Sequence, residues 1–306
     1  MFYPIFHYFL LVANVFLFST KPKIVEPTTF KHFFVYDTES IPSKDHYQYG
    51  ESVLTSDNLE IGRNMDTESQ WLDCIKEAYD ALPENKKGII FYIHGYQADK
   101  QFFVRSSGQI IQKEIFDVPS HEYGMAVSLI WKSVLGYDDA VANAYKKGQY
   151  FAEIVERIQK IQQNNCPQAK ISVMAHSMGN RVWEGLFQNW VTAQPTLKLS
   201  TVMLLAADLE DTVFNNTLST LPDHAARIIV YHNHDDVTLS FANKFREHRR
   251  LGIYGPENPI SLPKNIIVKD VTGIADEDIK NGTFTKHRYY YTSPSVRKAL
   301  VGFLSM

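Results

Sequence analysis

Cysteine is scarce in this chain. Its 306 residues include only Cys74 and Cys166, which lie far apart and have no neighbour in a CxxC pattern. Two isolated thiols provide neither a disulfide framework nor a cysteine-based zinc site. We therefore interpret both as free, partly buried thiols and expect a hydrophobic core to stabilise the fold.

Long runs of one charge are also missing. The chain has 31 Lys and Arg residues against 34 Asp and Glu residues, and its formal net charge is -3. Since phosphate contacts from basic residues dominate nucleic-acid binding, nucleic acid is not expected as a partner. Apolar residues make up 44% of the chain and charged residues 21%, which is typical of a globular protein.

Charged side chains are absent from the first twenty residues, which contain no Asp, Glu, Lys or Arg. The length suits a helix that crosses a bilayer, and the composition suits the apolar core of a signal peptide. The positive charge that normally precedes such a core is missing, and no clean A-x-A site follows. Two interpretations stay open for residues 1–20: an export or anchor segment that brings membrane contact, or a tail or mis-assigned start of a cytoplasmic protein.

The rest of the chain contains no internal repeat, low-complexity tract or Gly/Ser linker, so residues 32–306 are expected to form a single domain. Seven β-rich apolar runs are present, and most are continuous rather than alternating, as expected of strands covered on both faces. The predicted strands are residues 32–37, 88–95, 125–131, 170–175, 200–207, 227–233 and 265–271.

Amphipathic helix patterns separate several of these strands. Apolar residues recur at intervals of three and four in residues 69–82, 138–161 and 178–191. Alternation of strands and helices predicts an α/β fold with a mostly parallel central sheet and helices on both faces.

One strand runs directly into a helix at "ISVMAHSMGNRV", residues 171–182. A sharp strand-to-helix corner crowds the side chains two positions before and after it, and here Ala175 and Gly179 flank Ser177 with small residues. This predicts a nucleophile elbow, with Ala in place of the first Gly of G-x-S-x-G. The main-chain N–H of Met178 would then serve as an oxyanion donor. The plain alternative is an ordinary serine that caps a helix.

A serine nucleophile needs a base, and the base needs an acid that fixes its tautomer. On such a sheet the chain order is serine, acid, histidine, each just past a strand. Asp235 and Asp236 follow the strand at 227–233, and His287, the only histidine after His248, follows the last strand. The order alone leaves both aspartates open.

The loop after an early strand should supply a second oxyanion donor. In "FYIHGYQADKQF" the strand ends at His94-Gly95, which makes the N–H of Tyr96 the expected donor and that of Gln97 the alternative. His94 precedes the serine, in the wrong chain order for the base. We interpret it as a structural residue that braces the loop.

Segments spread over roughly residues 91–294 resemble one known family. They are "FYIHGYQADKQF", "LIWKSVLGYDDA", "ISVMAHSMGNRV", "LLAADLEDTVF", "IIVYHNHDDVTLSFANKFREHRRLG" and "KHRYYYTSP". Together they resemble the α/β-hydrolase superfamily, and within it a poorly characterised, largely bacterial branch of unknown function.

The resemblance also implies residue roles. The acid of that branch opens a D-x-A-L pattern, and Asp236-Val237-Thr238-Leu239 is similar to it, which favours Asp236 over Asp235. Its base falls in a segment like Gly-His-x-Tyr, to which Lys286-His287-Arg288-Tyr289 is similar.

The residues and the resemblance together predict a serine hydrolase that acts on an ester or related acyl bond. Ser177 would attack the carbonyl, His287 would act as base and then acid, and Asp236 would orient His287. The mechanism calls for no cofactor and no metal. The expected substrate is a small-molecule or lipid-like acyl compound.

Two other functions compete with this one. His232, His234 and Asp236 resemble the H-x-H-x-D-H zinc site of metallo-β-lactamase-fold hydrolases, although Val237 stands where the last histidine belongs. A metal-dependent hydrolase is therefore one alternative. A non-catalytic binding module on the same fold is the other, because a fold does not fix a function.

Overall fold

The computed structural model describes residues 29–39, 46–56, 58–96, 106–133, 136–243, 249–274, 276 and 285–306. Residues 1–20 and Gln97 lie outside the described residues. None of the helices within those ranges has the length and apolar character needed to cross a membrane.

Nine strands form one sheet in the order β3-β2-β1-β5-β4-β6-β7-β8-β9. The strands are β1 Lys31–Asp37, β2 Tyr47–Leu54, β3 Leu59–Met65, β4 Gly88–Ile93, β5 Tyr123–Trp131, β6 Ile171–His176, β7 Leu199–Leu205, β8 Ala225–His232 and β9 Ile266–Asp270. All seven predicted strands are present. In the part of the sheet ordered β1-β5-β4-β6-β7-β8-β9, each strand pairs in parallel with its neighbours.

An antiparallel hairpin, β2-β3, extends the sheet beyond β1 and was not predicted from the sequence. Its strands lie at the sheet edge, and four consecutive residues of β3 are exposed. An edge strand with a solvated face needs no continuous apolar run, so its sequence lacks the pattern that revealed the central strands. Gly50 in β2 and Gly62 in β3 also interrupt the alternation of apolar and polar residues along these strands.

The helices in the described ranges cover both faces of the sheet. They are α1 Glu68–Asp80, α2 Ser106–Ile111, α3 Tyr137–Asn165, α4 Gly179–Ala193, α5 Leu221–His224, α6 Val237–Asn243, α7 Leu251–Tyr254, α8 Tyr289–Thr292 and α9 Pro294–Leu304. The first predicted helix matches α1, which begins where the Thr67 side chain accepts a hydrogen bond from the Gln70 N–H. The second and third match α3 and α4.

The core is divided by the sheet into two clusters. Along β4, Ile89, Phe91 and Ile93 join one cluster, and Ile90 and Tyr92 join the other. Side chains of α1, α3 and α4 pack into the first cluster, and side chains of α8 and α9 pack into the second. This arrangement confirms the predicted α/β fold, because strands packed on both faces read as continuous apolar runs.

Candidate active site

The chain turns from β6 into α4 at Ser177. This residue has φ of 54°, in the left-handed region that non-glycine residues rarely adopt. Ala175 is fully buried behind it. At Gly179, a Cβ atom would lie 2.3 Å from the carbonyl oxygen of His94, so no larger residue fits without displacing the neighbouring strand end. The predicted elbow geometry is therefore present.

Hydrogen bonds hold the strained corner in place. The N–H of Ser177 donates to the Leu205 carbonyl at 2.9 Å, which ties the corner to β7. The Asn180 side-chain amide donates to the carbonyls of Ser177 and Ala175, at 3.0 and 3.2 Å. Strain of this kind costs about 1–3 kcal/mol and persists only where the surroundings fix it.

The structure brings Ser177, His287 and Asp236 together. The His287 Nε2 atom lies 2.9 Å from Ser177 Oγ, and its Nδ1 atom lies 2.7 Å from Asp236 Oδ2. Because a carboxylate only accepts, the Nδ1 atom carries the proton, which leaves Nε2 as an acceptor for the serine hydroxyl. All three residues are buried, with Asp236 fully so.

The two aspartates after β8 have different environments. Asp236 is buried, and its second oxygen accepts a hydrogen bond from the Leu239 N–H at 3.0 Å, at the start of α6. Asp235 is exposed, and its main-chain N–H donates to Asn233 Oδ1 at 2.9 Å. The carboxylate that reaches His287 is thus that of Asp236.

Two polar residues that were not assigned from the sequence support the backbone around His287. The His176 Nε2–H donates to the main-chain carbonyl of His287 at 2.9 Å, and the two rings lie 4.7 Å apart. Burial, followed by the electrostatic interaction with His287, holds the pKa of His176 well below its usual range, so its ring stays neutral. The Asn233 amide donates to the Lys286 carbonyl at 3.0 Å, which joins the loop of Asp236 to the loop of His287. The only available clue in the sequence was a polar residue at the end of each apolar strand.

The predicted oxyanion donors lie beside the serine. Met178 is the buried residue between Ser177 and the first residue of α4. Gly95 packs against the elbow so closely that a Cβ atom there would lie 2.9 Å from Ser177 Cβ, and Tyr96 follows directly. Both main chains therefore run past Ser177, and their roles as donors remain predictions.

His94 makes the bonds of a structural residue. Its Nδ1–H donates to the Gly95 carbonyl at 2.7 Å, and its Nε2 accepts from the Trp131 N–H at 3.1 Å. The Trp131 indole donates back to the His94 carbonyl at 3.0 Å, and the two rings stack. With both ring nitrogens engaged, His94 braces the loop that carries Tyr96. Trp131 is fully buried and belongs to the core.

A third carboxylate, Asp208, lies close to the elbow, since its N–H donates to the Ser177 carbonyl at 3.2 Å. Its side chain accepts from the Tyr137 hydroxyl at 2.6 Å and lies 3.2 Å from Arg250 Nε. Among the described residues, no hydrogen bond or ion pair joins its carboxylate to His287. Arg250 is charged yet fully buried, and Asp208 lies beside it.

The metal alternative fails at its third ligand. His232 and His234 instead lie near Asp270, and one donor atom from each of the three residues lies within 4.8 Å of the other two. The Asp236 carboxylate instead serves His287 and the start of α6. Asp270 was missed because it lies at the end of β9, far along the chain from the two histidines.

Comparisons with known proteins agree with this fold. The family model described as "Alpha/beta hydrolase of unknown function (DUF900)" matches residues 75–303, which confirms the resemblance seen in the sequence. No curated protein matches the chain.

Similarity to solved structures is distant. A predicted CIB-like hydrolase from Thermoplasma acidophilum is 12% identical, with a TM-score of 0.40 and coverage of 90% of this chain and 99% of that chain. A gene product from Listeria innocua is 8% identical, with a TM-score of 0.41 and coverage of 71% and 93%.

Proposed function

Since the chain belongs to the α/β hydrolase family of unknown function DUF900, we propose that it is a serine hydrolase of ester or related acyl bonds. One observation carries the proposal: hydrogen bonds run without a break from Asp236 through His287 to Ser177, at 2.7 and 2.9 Å. The serine at the end of that series lies on a strained elbow.

The proposed reaction begins with proton transfer from Ser177 Oγ to His287 Nε2. The serine oxygen bonds to the substrate carbonyl carbon, and the carbonyl oxygen becomes an oxyanion facing the N–H groups of Met178 and Tyr96. Collapse of this tetrahedral intermediate expels the alcohol or amine, which takes the proton from His287 and leaves an acyl-serine. A water molecule then attacks the acyl-serine by the same steps, and the acid is released.

Asp236 acts on the charged form of His287. Its oxygen holds the Nδ1 proton, which keeps Nε2 directed at the serine and stabilises the imidazolium during the transfer. The carboxylate is fully buried, so the interaction is weakly screened.

The surface next to the acid favours a substrate with an apolar acyl chain. Val237 and Phe241, at positions i and i+4 of α6, are 53% and 64% exposed. Residues at that spacing share one face of a helix. An exposed apolar face directly after Asp236 supports small-molecule or lipid-like acyl compounds as substrates.

The direct test is labelling of the full chain with a fluorophosphonate and assay with short p-nitrophenyl esters. Ser177→Ala should abolish labelling and lower kcat by about a thousandfold or more. Ser219→Ala, an exposed serine on another loop, should leave both unchanged. Labelling at a different residue, or parental turnover by Ser177→Ala, would refute the assignment. No labelling and no turnover in the parent would favour the binding-module alternative.

A further inference from the structure

A second cluster of reactive side chains lies where β8 and β9 end. His232 is the last residue of β8 and pairs in register with Asp270, the last residue of β9. His234 follows two residues later and is exposed, and its ring packs edge-on against that of His232 with centroids 5.4 Å apart. One donor atom from each of the three residues lies within 4.8 Å of the other two.

His232 is oriented for a ligand on one nitrogen. Its Nδ1 atom lies 3.3 Å from the Ile253 carbonyl, which can only accept, so Nδ1 carries the proton and Nε2 offers a lone pair. Gly255, with φ of 70°, passes close to that lone pair, and a Cβ atom there would lie 3.3 Å from Nε2. A glycine at this position keeps the approach to Nε2 open.

Asp270 and His234 are held by a shared partner. Asp270 Oδ1 accepts from the Thr272 N–H at 2.8 Å and from the Thr272 hydroxyl. The same hydroxyl oxygen accepts from the His234 N–H at 3.0 Å. This arrangement fixes the carboxylate through one oxygen and leaves Oδ2 for a ligand. Hydrogen bonds of this type, from histidine to a carbonyl and from a polar group to the carboxylate, surround the ligands of metal sites.

We propose that His232, His234 and Asp270 bind a divalent transition-metal ion such as Zn²⁺. Imidazole nitrogen suits Zn²⁺, whereas Mg²⁺ and Ca²⁺ prefer oxygen ligands alone. An ion with donors at about 2.0–2.2 Å separates any two of them by at most about 4.4 Å. The three donor atoms lie within 4.8 Å of one another, and rotation of the exposed His234 side chain adjusts their separations to the ion.

The ion has a structural role distinct from the chemistry at Ser177. It joins the ends of two neighbouring strands to the loop that carries Asp236, two residues after His234. Metal binding would therefore restrict the loop that positions the acid. The site does not depend on the proposed function, since its ligands are separate from the Ser177, His287 and Asp236 side chains.

The test is direct metal binding to the chelator-treated full chain. Co²⁺ titration should produce visible absorption that saturates at one ion per chain, and Zn²⁺ should displace it while Mg²⁺ does not. Saturating Zn²⁺ should raise the Tm by about 5 °C. His234→Ala and Asp270→Asn should each weaken binding by about a hundredfold, and Thr272→Val by about tenfold. His46→Ala, an exposed histidine elsewhere, should bind as the parent does.

Three outcomes would overturn the proposal: no saturable Co²⁺ site, parental binding by both ligand variants, or dependence on Asp236 instead of Asp270. Because the readouts are absorption, stoichiometry and Tm, they remain valid whether or not the chain hydrolyses esters. Loss of metal binding alone would leave the Ser177 proposal intact, and loss of hydrolysis alone would leave the metal site intact.

Discussion

The elbow after β6 and the loop after β8 hold their reactive side chains by different means. At the elbow, a φ of 54° and the small residues Ala175 and Gly179 place Ser177 within five residues of chain. At the β8 loop, Asp236 is hydrogen-bonded to His287, which is 51 residues further along the chain. The first is encoded by a short stretch of chain, whereas the second depends on a hydrogen bond between residues far apart in the sequence.

The largest effect is expected in the loop after β8, from Asp236→Asn. The amide cannot hold the Nδ1 proton of His287 as the carboxylate does, so kcat should fall about a thousandfold, or about 4 kcal/mol. Asp235→Asn is the matched control, because its exposed carboxylate lies one residue away, and it should change kcat less than about threefold. Steady-state ester hydrolysis measures both, and similar losses would show that the loop does not distinguish the two carboxylates.

The elbow should be broken by a single methyl group. Gly179→Ala places a Cβ atom 2.3 Å from the His94 carbonyl oxygen, and we expect a loss of about 3 kcal/mol in the free energy of unfolding. Gly302→Ala in α9 is the control, because its added Cβ would meet no described atom within 4 Å apart from its chain neighbours and its own helix backbone. It should be neutral or slightly stabilising. Denaturant unfolding gives both values. Equal stability of the two variants would mean that the elbow is not sterically fixed.

The smallest effect concerns His176, which joins the end of β6 to the loop of His287 through the His287 carbonyl. Burial lowers the pKa of His176 in the folded chain, whereas the unfolded chain binds this proton below about pH 6.5. Its contribution to stability is therefore complete above that pH and declines as the pH falls. His176→Asn removes the decline, so the stability gap to the parent should narrow by up to about 1.4 kcal/mol per pH unit between pH 6.5 and 5. A gap that stays constant in unfolding curves across that range would contradict the buried, neutral histidine.

Features encoded by neighbouring residues were predictable from the sequence. The continuous apolar strands, the amphipathic helices and the elbow around Ser177 all depend on patterns of a few residues, and each appears at the expected place. The order of strand ends also placed His287 and an aspartate at one edge of the sheet. The choice between Asp235 and Asp236 came only from the family resemblance.

Features set by contacts between distant segments were not predictable. The β2-β3 hairpin lacks the continuous apolar run of the central strands, because part of β3 faces solvent. Arg250 is charged yet buried, and Asp208 lies beside it. The position of Asp270 next to His232 depends on the parallel pairing of β8 with β9. No single segment contains the information that would have revealed these contacts.

The spacing of the three catalytic candidates has a consequence for folding. Ser177 and His287 are 110 residues apart, so His287 is synthesised after Ser177 by that length of chain. At about 5–20 residues per second, the base leaves the ribosome roughly 5–20 seconds after the serine. During that interval Ser177 lacks its proposed base, and a chain that ends before the loop of His287 would contain the proposed nucleophile alone. In the proposed mechanism, hydrolysis therefore begins only after the segment that carries His287 has been synthesised and has docked beside Ser177.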